Sequence, residues 1–336
     1  MSVVPDPTTI TDTSASTATD TATFAGWHLS LNTWDGSDLV DAGNSRNQAR
    51  AFALVLAMFQ MWLRPVRAHG RHIGLVPAED CHRFNGAGPH LDTTYVVSPG
   101  ALRIEQMIPG VAQLKPLRPT TMVARPEDLT RFRDELALVP RGHWVVLSGS
   151  VPPGIDDDVE FYADLIGWLR FQRQVRVFFN GRKETLRGLL QANVQLDGVS
   201  ANLEELSFAM GAEIDPIDGE ALVQFARRFH TDEPVIFSLG PRHGTFFYHQ
   251  GKAWIIHVGD PAGEQIIHAN GCGDTLVGAF MAAFVNGESV LFAAVLSVCC
   301  AVAQLTTTTP ALFYWRLVNR LMASPPRITP VRVSQT

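Results

Sequence analysis

Residues 143–191, "HWVVLSGSVPPGIDDDVEFYADLIGWLRFQRQVRVFFNGRKETLRGLLQ", decide the fold. A continuous apolar run, "HWVVLSG", ends in a Gly/Ser turn and two prolines. "DVEFYADLIGWLRFQ" then carries apolar residues at helical spacing, "VRVFFN" is a second short apolar run, and "KETLRGLLQ" a second amphipathic segment. Short β-branched and aromatic runs bounded by turn residues read as buried strands, and longer periodic segments as helices. Strands alternating with helices predict an α/β fold, a mostly parallel central sheet with helices on both faces.

The rhythm extends in both directions. Downstream, "LDGVSAN" leads into a helix at "LEELSFAMG", the helix "DGEALVQFARRFH" precedes the strand "PVIFSLG", and "GTFFYHQGKAWIIHV" reads as a hairpin. Upstream, "WHLSLN" (27–32) reads as an opening strand and "SRNQARAFALVLAMFQMWL" (45–63) as a helix. "TTYVVS" and "LRIEQMI" are short strands around 93–108, and "PEDLTRFRDELALV" (126–139) is an amphipathic helix. The most apolar stretch, "VLFAAVLSVCCAVA" (290–303), is shorter than the roughly 20 residues a membrane span needs, and predicts a helix buried in a core. Residues 1–24, rich in Thr and Ser and without the basic start and apolar core of a secretory signal, read as a disordered extension. Residues 25–323 form one domain, and 324–336 a flexible tail.

The formal net charge of −6 argues against nucleic acid or an anionic membrane as partner. The densest basic stretch, "RPVRAHGRH" (64–72), reads as a solvated loop or helix end. Cys81, Cys272, Cys299 and Cys300 make no CxxC pair and the histidines no HExxH, as expected of reduced thiols in a cytoplasmic protein without a structural metal.

Four short motifs fall at strand ends, where such sheets bind ligands. In "NGCGDT", Gly271, Cys272 and Gly273 open an apolar helix, whose unpaired N–H groups and partial positive charge attract anions. Asp274 would repel a phosphate there. Its place makes sense if a proton must be removed from the group that attacks the phosphate. The plain alternative is a helix cap. "LSGSVPPG" (147–154) is a Gly/Ser turn suited to a ligand rim. In "NLEE", Asn202 and Glu205 have the spacing of a capping box, or order Mg²⁺ and water near phosphates. In "SLGPRHG", Ser238, Gly240 and Gly244 let a nucleotide lie against backbone, or make a plain turn.

From residue 143 onward these motifs resemble, in order and spacing, those of the ribokinase-like (PfkB) carbohydrate kinases, nearest the 1-phosphofructokinase and tagatose-6-phosphate kinase branch. "VVLSGSVPPG" is similar to that branch's Gly-Ser-x-Pro turn, Asn202 and Glu205 to Asn-x-x-Glu, and "NGCGDT" to Gly-Ala-Gly-Asp with Cys272 in the Ala place. The resemblance implies a three-layer α/β/α sandwich with a β lid, ATP and Mg²⁺ as cofactors, and a sugar or sugar phosphate as substrate. Asp274 would be the general base, the N–H groups of 271–273 the phosphoryl cradle, Asn202 and Glu205 the Mg²⁺ organisers, and Ser238, Gly240 and Gly244 the nucleotide lining. Gly43, Asn47 and Arg103 would lie on the substrate side, and lid strands in this family often build homodimers.

The chain departs from the family upstream. In "AGNSRN" (42–47), where the family has Gly-Gly-Lys-Gly-x-Asn, Gly43 and Asn47 remain but Asn44 stands for the lysine, and Ala42 and Ser45 for glycines. "LNTWDGSD" (31–38) keeps Asn32, with Asp35 or Asp38 in place of the family's aspartate, and the lid is expected to be reduced. Ser200 stands where a phosphate-contacting lysine is expected. These changes leave a second reading open, a homologue that binds nucleotide or sugar phosphate in a regulatory role without phosphorylating sugar.

Overall fold

The computed structural model describes residues 21–27, 30–33, 39–41, 44–77, 90–100, 103–106, 115–118, 120–151, 154–229, 233–261, 263–324 and 326–333; for the strand residues between 27 and 41, for Asn44, and between 103 and 118 it describes the backbone alone. Residues 1–20 of the start expected to be disordered, together with Gly43, Asp35, Asp38 and Cys81, lie outside the described residues, whereas residues 22–24 of that start are buried strand.

The main sheet has ten strands in the order β14-β13-β12-β11-β10-β9-β8-β1-β4-β5. Its parallel part comprises β5 (Leu91–Ser98), β4 (Gly70–Pro77), β1 (Ala22–Trp27), β8 (Trp144–Gly149), β9 (Arg176–Gly181), β10 (Gly198–Asn202) and β11 (Val235–Ser238). An antiparallel meander, β12 (Thr245–His249), β13 (Lys252–His257) and β14 (Arg327–Val331), completes one edge. A second sheet of four short strands has the order β3 (Leu39–Asp41), β2 (Ser30–Thr33), β6 (Arg103–Gln106), β7 (Lys115–Arg118). These strands lie in the part of the chain where the resemblance implies lid strands.

Strand alternation divides the core in two. Phe24, Trp144, Val146, Phe178, Ile236 and Phe247 face α1 (Asn44–Met61), α7 (Cys272–Val285), α8 (Val290–Gln304) and α9 (Trp315–Ala323). Ala25, Val145, Val177, Phe179 and Phe237 face the opposite layer. That layer holds α2 (Pro126–Leu136), α3 (Asp158–Gly167) with a π-helical turn at Trp168–Arg173, α4 (Lys183–Gln191), α5 (Leu203–Met210) and α6 (Gly219–Arg227). The period of two sends neighbouring residues to opposite faces, so the buried strands carry apolar residues on both. α7 and α8 are apolar on all sides because they lie inside the helical layer rather than on it. No helix among the described residues is long and apolar enough to cross a membrane.

Four upstream and terminal expectations change. "WHLSLN" is not one strand: β1 is "ATFAGW", already begun at Ala22, and β2 belongs to the other sheet. The basic stretch 64–72 is not loop to its end, because Gly70 starts β4 and His72 is fully buried. Residues 327–331, expected in a flexible tail, form β14, with Ile328 paired to Ile256 of β13. Its alternation is weak, with no fully buried residue, which is why the pattern did not reveal an edge strand. α9, unpredicted, covers the core with Leu317, Val318 and Leu321.

The two helices that matter most for the site touch closely. An added Cβ at Gly278 of α7 would lie 2.1 Å from the Gln48 carbonyl oxygen of α1 and 2.9 Å from the Ala51 Cβ. Backbone cannot yield as a flexible side chain does, so any larger residue must push the helices apart. Gly278→Ala is expected to lower stability by about 1–3 kcal/mol, read as a shifted urea midpoint; an unchanged midpoint would show that the helices have slack.

Candidate active site

The crevice lies where the strand order reverses. β1 runs through α1 to β4 on one side and pairs with β8 on the other, the arrangement that opens a ligand crevice at the carboxyl ends. Gly26, near the end of β1, is paired with Ser148 of the "LSGS" turn. A Cβ at Gly26 would meet the Ser148 carbonyl oxygen at 2.5 Å and Ser45 of α1 at 3.0 Å, so the first turn of α1 is seated directly on the switch point.

Into the same place α7 delivers its first turn. Gly271 is its N-cap, in the left-handed region at φ 84°, and an added Cβ there would also strike Pro310 at 2.7 Å. Glycine is therefore required twice over. At Gly273 an added Cβ meets nothing within 4 Å, so the mouth of the helix is open. The Thr275 N–H closes the first turn on the Gly271 carbonyl at 2.8 Å. The amides before it have no intrahelical acceptor. Cys272 N–H is already used, donating to the Ala269 carbonyl at 3.2 Å. Of the three amides expected to form the cradle, that one is turned inward in this structure.

Asp274 is buried, and it is not the N-cap. Its two carboxylate oxygens accept hydrogen bonds from α1: Asn47 Nδ2 donates to Oδ2 at 3.2 Å and Gln48 Nε2 to Oδ1 at 3.3 Å. Both donors are neutral amides, which hold the anion without supplying a counter-charge. Gln48, fully buried, went unnoticed in the sequence because it reads as one more polar residue at a helix start. The side-chain oxygens Asn47 Oδ1 and Gln48 Oε1 are buried and have no hydrogen-bond partner among the described residues.

On the other side of the crevice, β10 and β11 end in register, with Asn202 opposite Ser238. Asn202 and Glu205 form a complete capping box: Glu205 N–H donates to Asn202 Oδ1 at 2.9 Å and Asn202 N–H to Glu205 Oε2 at 2.8 Å. Burial pushes the Glu205 carboxyl above the usual range, Asn202 N–H opposes this, and Glu204 adds to it. Lys183, at the start of α4 and unnoticed in the sequence, pairs with Glu204 at 2.6 Å. The loop after Ser238 is tight: Gly244 N–H donates to the Gly240 carbonyl at 3.0 Å, and Leu239 N–H to the Gly244 carbonyl at 2.9 Å. Gly240 (φ 87°) opens onto free space, whereas a Cβ at Gly244 would lie 2.4 Å from the Ile256 carbonyl oxygen. Arg103 pairs through its backbone with Ser30 in the lid sheet.

A glycine-lined helix mouth and a buried carboxylate thus meet at the first turn of α1, and the Asn202–Glu205 cap stands at the carboxyl end of the same parallel sheet. The family model described as "pfkB family carbohydrate kinase" matches residues 112–312. The chain belongs to that family. Among solved structures, the fold of this pfkB-family chain is similar to phosphofructokinase-2 from Escherichia coli in complex with substrates and products (TM-score 0.68, 17% identity, 90% of this chain and 98% of that one). It is likewise similar to a Thermotoga maritima protein described as a 1-phosphofructokinase (TM-score 0.67, 17% identity, 93% and 100% covered) and to a Staphylococcus aureus protein described as a phosphofructokinase (TM-score 0.70, 14% identity, 94% and 100%). No curated protein matches the sequence.

Cys272, in the family's alanine place, adds a thiol to the cradle. Burial, with the Asp274 charge adding to it, pushes that thiol up to about 12. Burial raises Cys299 to about 12 and Cys300 well above the ordinary value. Reactivity belongs to the thiolate, so all three are expected to resist iodoacetamide at pH 8 and to label fully in guanidinium, as read by peptide mapping. Rapid labelling of Cys272 in the folded protein would contradict this picture of the cradle.

Proposed function

We propose that the protein is an active ATP-dependent kinase that phosphorylates a hydroxyl of a sugar phosphate, a hexose phosphate such as fructose 1-phosphate or tagatose 6-phosphate. The observation that carries this reading is the placement of the buried Asp274 carboxylate at the open mouth of α7, gripped by Asn47 and Gln48. A carboxylate serving as a helix cap would bond the helix's own amides. Here the cap is Gly271, and the carboxylate is held from another helix.

In this reading the substrate hydroxyl attacks the terminal phosphorus of ATP, its proton passes to Asp274, and ADP leaves. The backbone amides at the mouth of α7 stabilise the charge that spreads over the transferred group. Asn47 and Gln48 keep Asp274 aimed. The partnerless oxygen of Asn47 fits a hydroxyl-rich ligand, whose donors would satisfy it. Ser238, Gly240 and Gly244 would line the nucleotide side, and Asn47 stands on the substrate side, as the family resemblance implies.

Mg²⁺ in such a reaction neutralises phosphate charge and orients the transferred group. Among the described residues no three His, Cys, Asp or Glu side chains gather to hold a metal. The residues fit an ion that travels with the nucleotide and touches the protein through few carboxylates, the usual habit of Mg²⁺. Glu205 and Asn202, fixed by their mutual bonds, would order its water shell.

One observation favours the regulatory reading: Ser200 is buried within β10 where the family's lysine is expected, and nearby Lys183 is engaged with Glu204. The two readings separate by experiment. Mg-ATP at 100-fold over its Kd is expected to stabilise the fold by about 2.7 kcal/mol, and a screen of hexose phosphates should yield a phosphorylated product. Asp274→Asn should retain nucleotide binding and lose at least about 10²-fold in kcat. Nucleotide binding without transfer to any sugar would establish the regulatory reading; a fully active Asp274→Asn variant would remove the proton-transfer role.

A further inference from the structure

We propose that Gln304 is the positioning residue that aims the Gly271 amide at the transferred phosphoryl group, an inference that rests on the phosphotransfer reading above. Gln304 is the last residue of α8 and is fully buried. Its Nε2 donates to the Asn270 carbonyl oxygen at 3.0 Å, and its Oε1 accepts the Cys272 thiol at 2.6 Å. A carbonyl only accepts, so the orientation of the Gln304 amide is settled by its partners. One side chain thereby grips both flanks of Gly271.

Peptide planarity turns that grip into a direction. In a trans peptide the N–H points away from the C=O across a common plane. With the Asn270 oxygen tied to the end of α8, the Gly271 N–H is turned away from α8. The neighbouring Gly273 position in the first turn of α7 is open. The loop is otherwise seated on the same element: Ile267 N–H donates to the Leu305 carbonyl at 2.8 Å, and Pro310 packs behind Gly271. Those contacts fix where the loop lies; the way the 270–271 peptide faces is set through the Asn270 carbonyl, which Gln304 and the His268 ring both engage. A peptide next to glycine rotates easily, because glycine accepts φ of either sign. Reversed, it would present a carbonyl oxygen to the phosphate instead of a donor. Donors fixed before the charge arrives are what lower the barrier, and Gln304 holds this one from both sides, through the Asn270 carbonyl and the Cys272 thiol.

Gln304→Met keeps the length of the side chain and loses both bonds. The prediction is a change in nucleotide discrimination. By calorimetry, Mg-ADP should bind within about 3-fold of wild type, while the preference for Mg-ATP over Mg-ADP falls by at least about 10-fold and kcat drops by at least about 10-fold at unchanged sugar KM. Asn286→Ala is the control for stability alone. Asn286 caps the far end of α7, its Oδ1 accepting from Arg67 and Ala68 N–H at 2.7 and 3.1 Å. It should lower Tm and leave the preference intact. If Gln304→Met does not fold, Gln304→Asn, one methylene too short to reach Asn270, is the second variant and is expected to shift the preference the same way. A Gln304 variant that only lowers Tm, as Asn286→Ala does, overturns the inference while leaving the kinase reading standing. A wild type that binds neither nucleotide overturns both.

Discussion

The closest backbone contact that matters for function is the one between α1 and α7. Because Gly278 has no side chain, the Gln48 carbonyl sits against its Cα, and the two helices run together from there toward their N-termini. That approach is what allows Asn47 and Gln48 to reach across to Asp274. α1 is in turn fixed by Gly26, where β1, β8 and the first turn of α1 meet within one residue's width. Two glycines far apart in sequence therefore set the distance between α1 and the Asp274 carboxylate of α7.

The electrostatics follow from the same packing. Two of the hydrogen bonds to the buried Asp274 carboxylate come from neutral amides, the clamp of Asn47 and Gln48. The departure at Asn44, where the family carries lysine, leaves this clamp untouched, because the clamp uses the two residues that follow Arg46. On the nucleotide side Glu205 is bound into its capping box, so the structural explanation of "NLEE" is met in full, and any further role of Glu205 rides on a side chain already held in place.

The parallel half of the sheet was legible from residue 143 onward because each strand there is buried on both faces and each helix is periodic. Three of the four motifs do follow parallel strands, β8, β10 and β11, whereas "NGCGDT" stands well beyond the end of β13, at the mouth of α7. Upstream the reading slipped. β1 and β2 run nearly continuously in sequence, and only pairing with different partners separates them. β14 is largely exposed, so it carries no apolar alternation to notice. Gln48 and Gln304 were silent, since a buried glutamine in a helix looks in sequence like any polar surface position.

What the sequence by itself determined is the class of layers, the order of strands and helices between residues 143 and 304, and the family, because these rest on local periodicity and on short motifs. What only the tertiary structure decided is which residues meet. Asp274 lies 226 positions from Gln48, and Cys272 32 from Gln304. Such meetings depend on helix-to-helix distances set by single absent side chains, at Gly278 and Gly26, and no local pattern encodes a distance between elements that the chain joins only after folding.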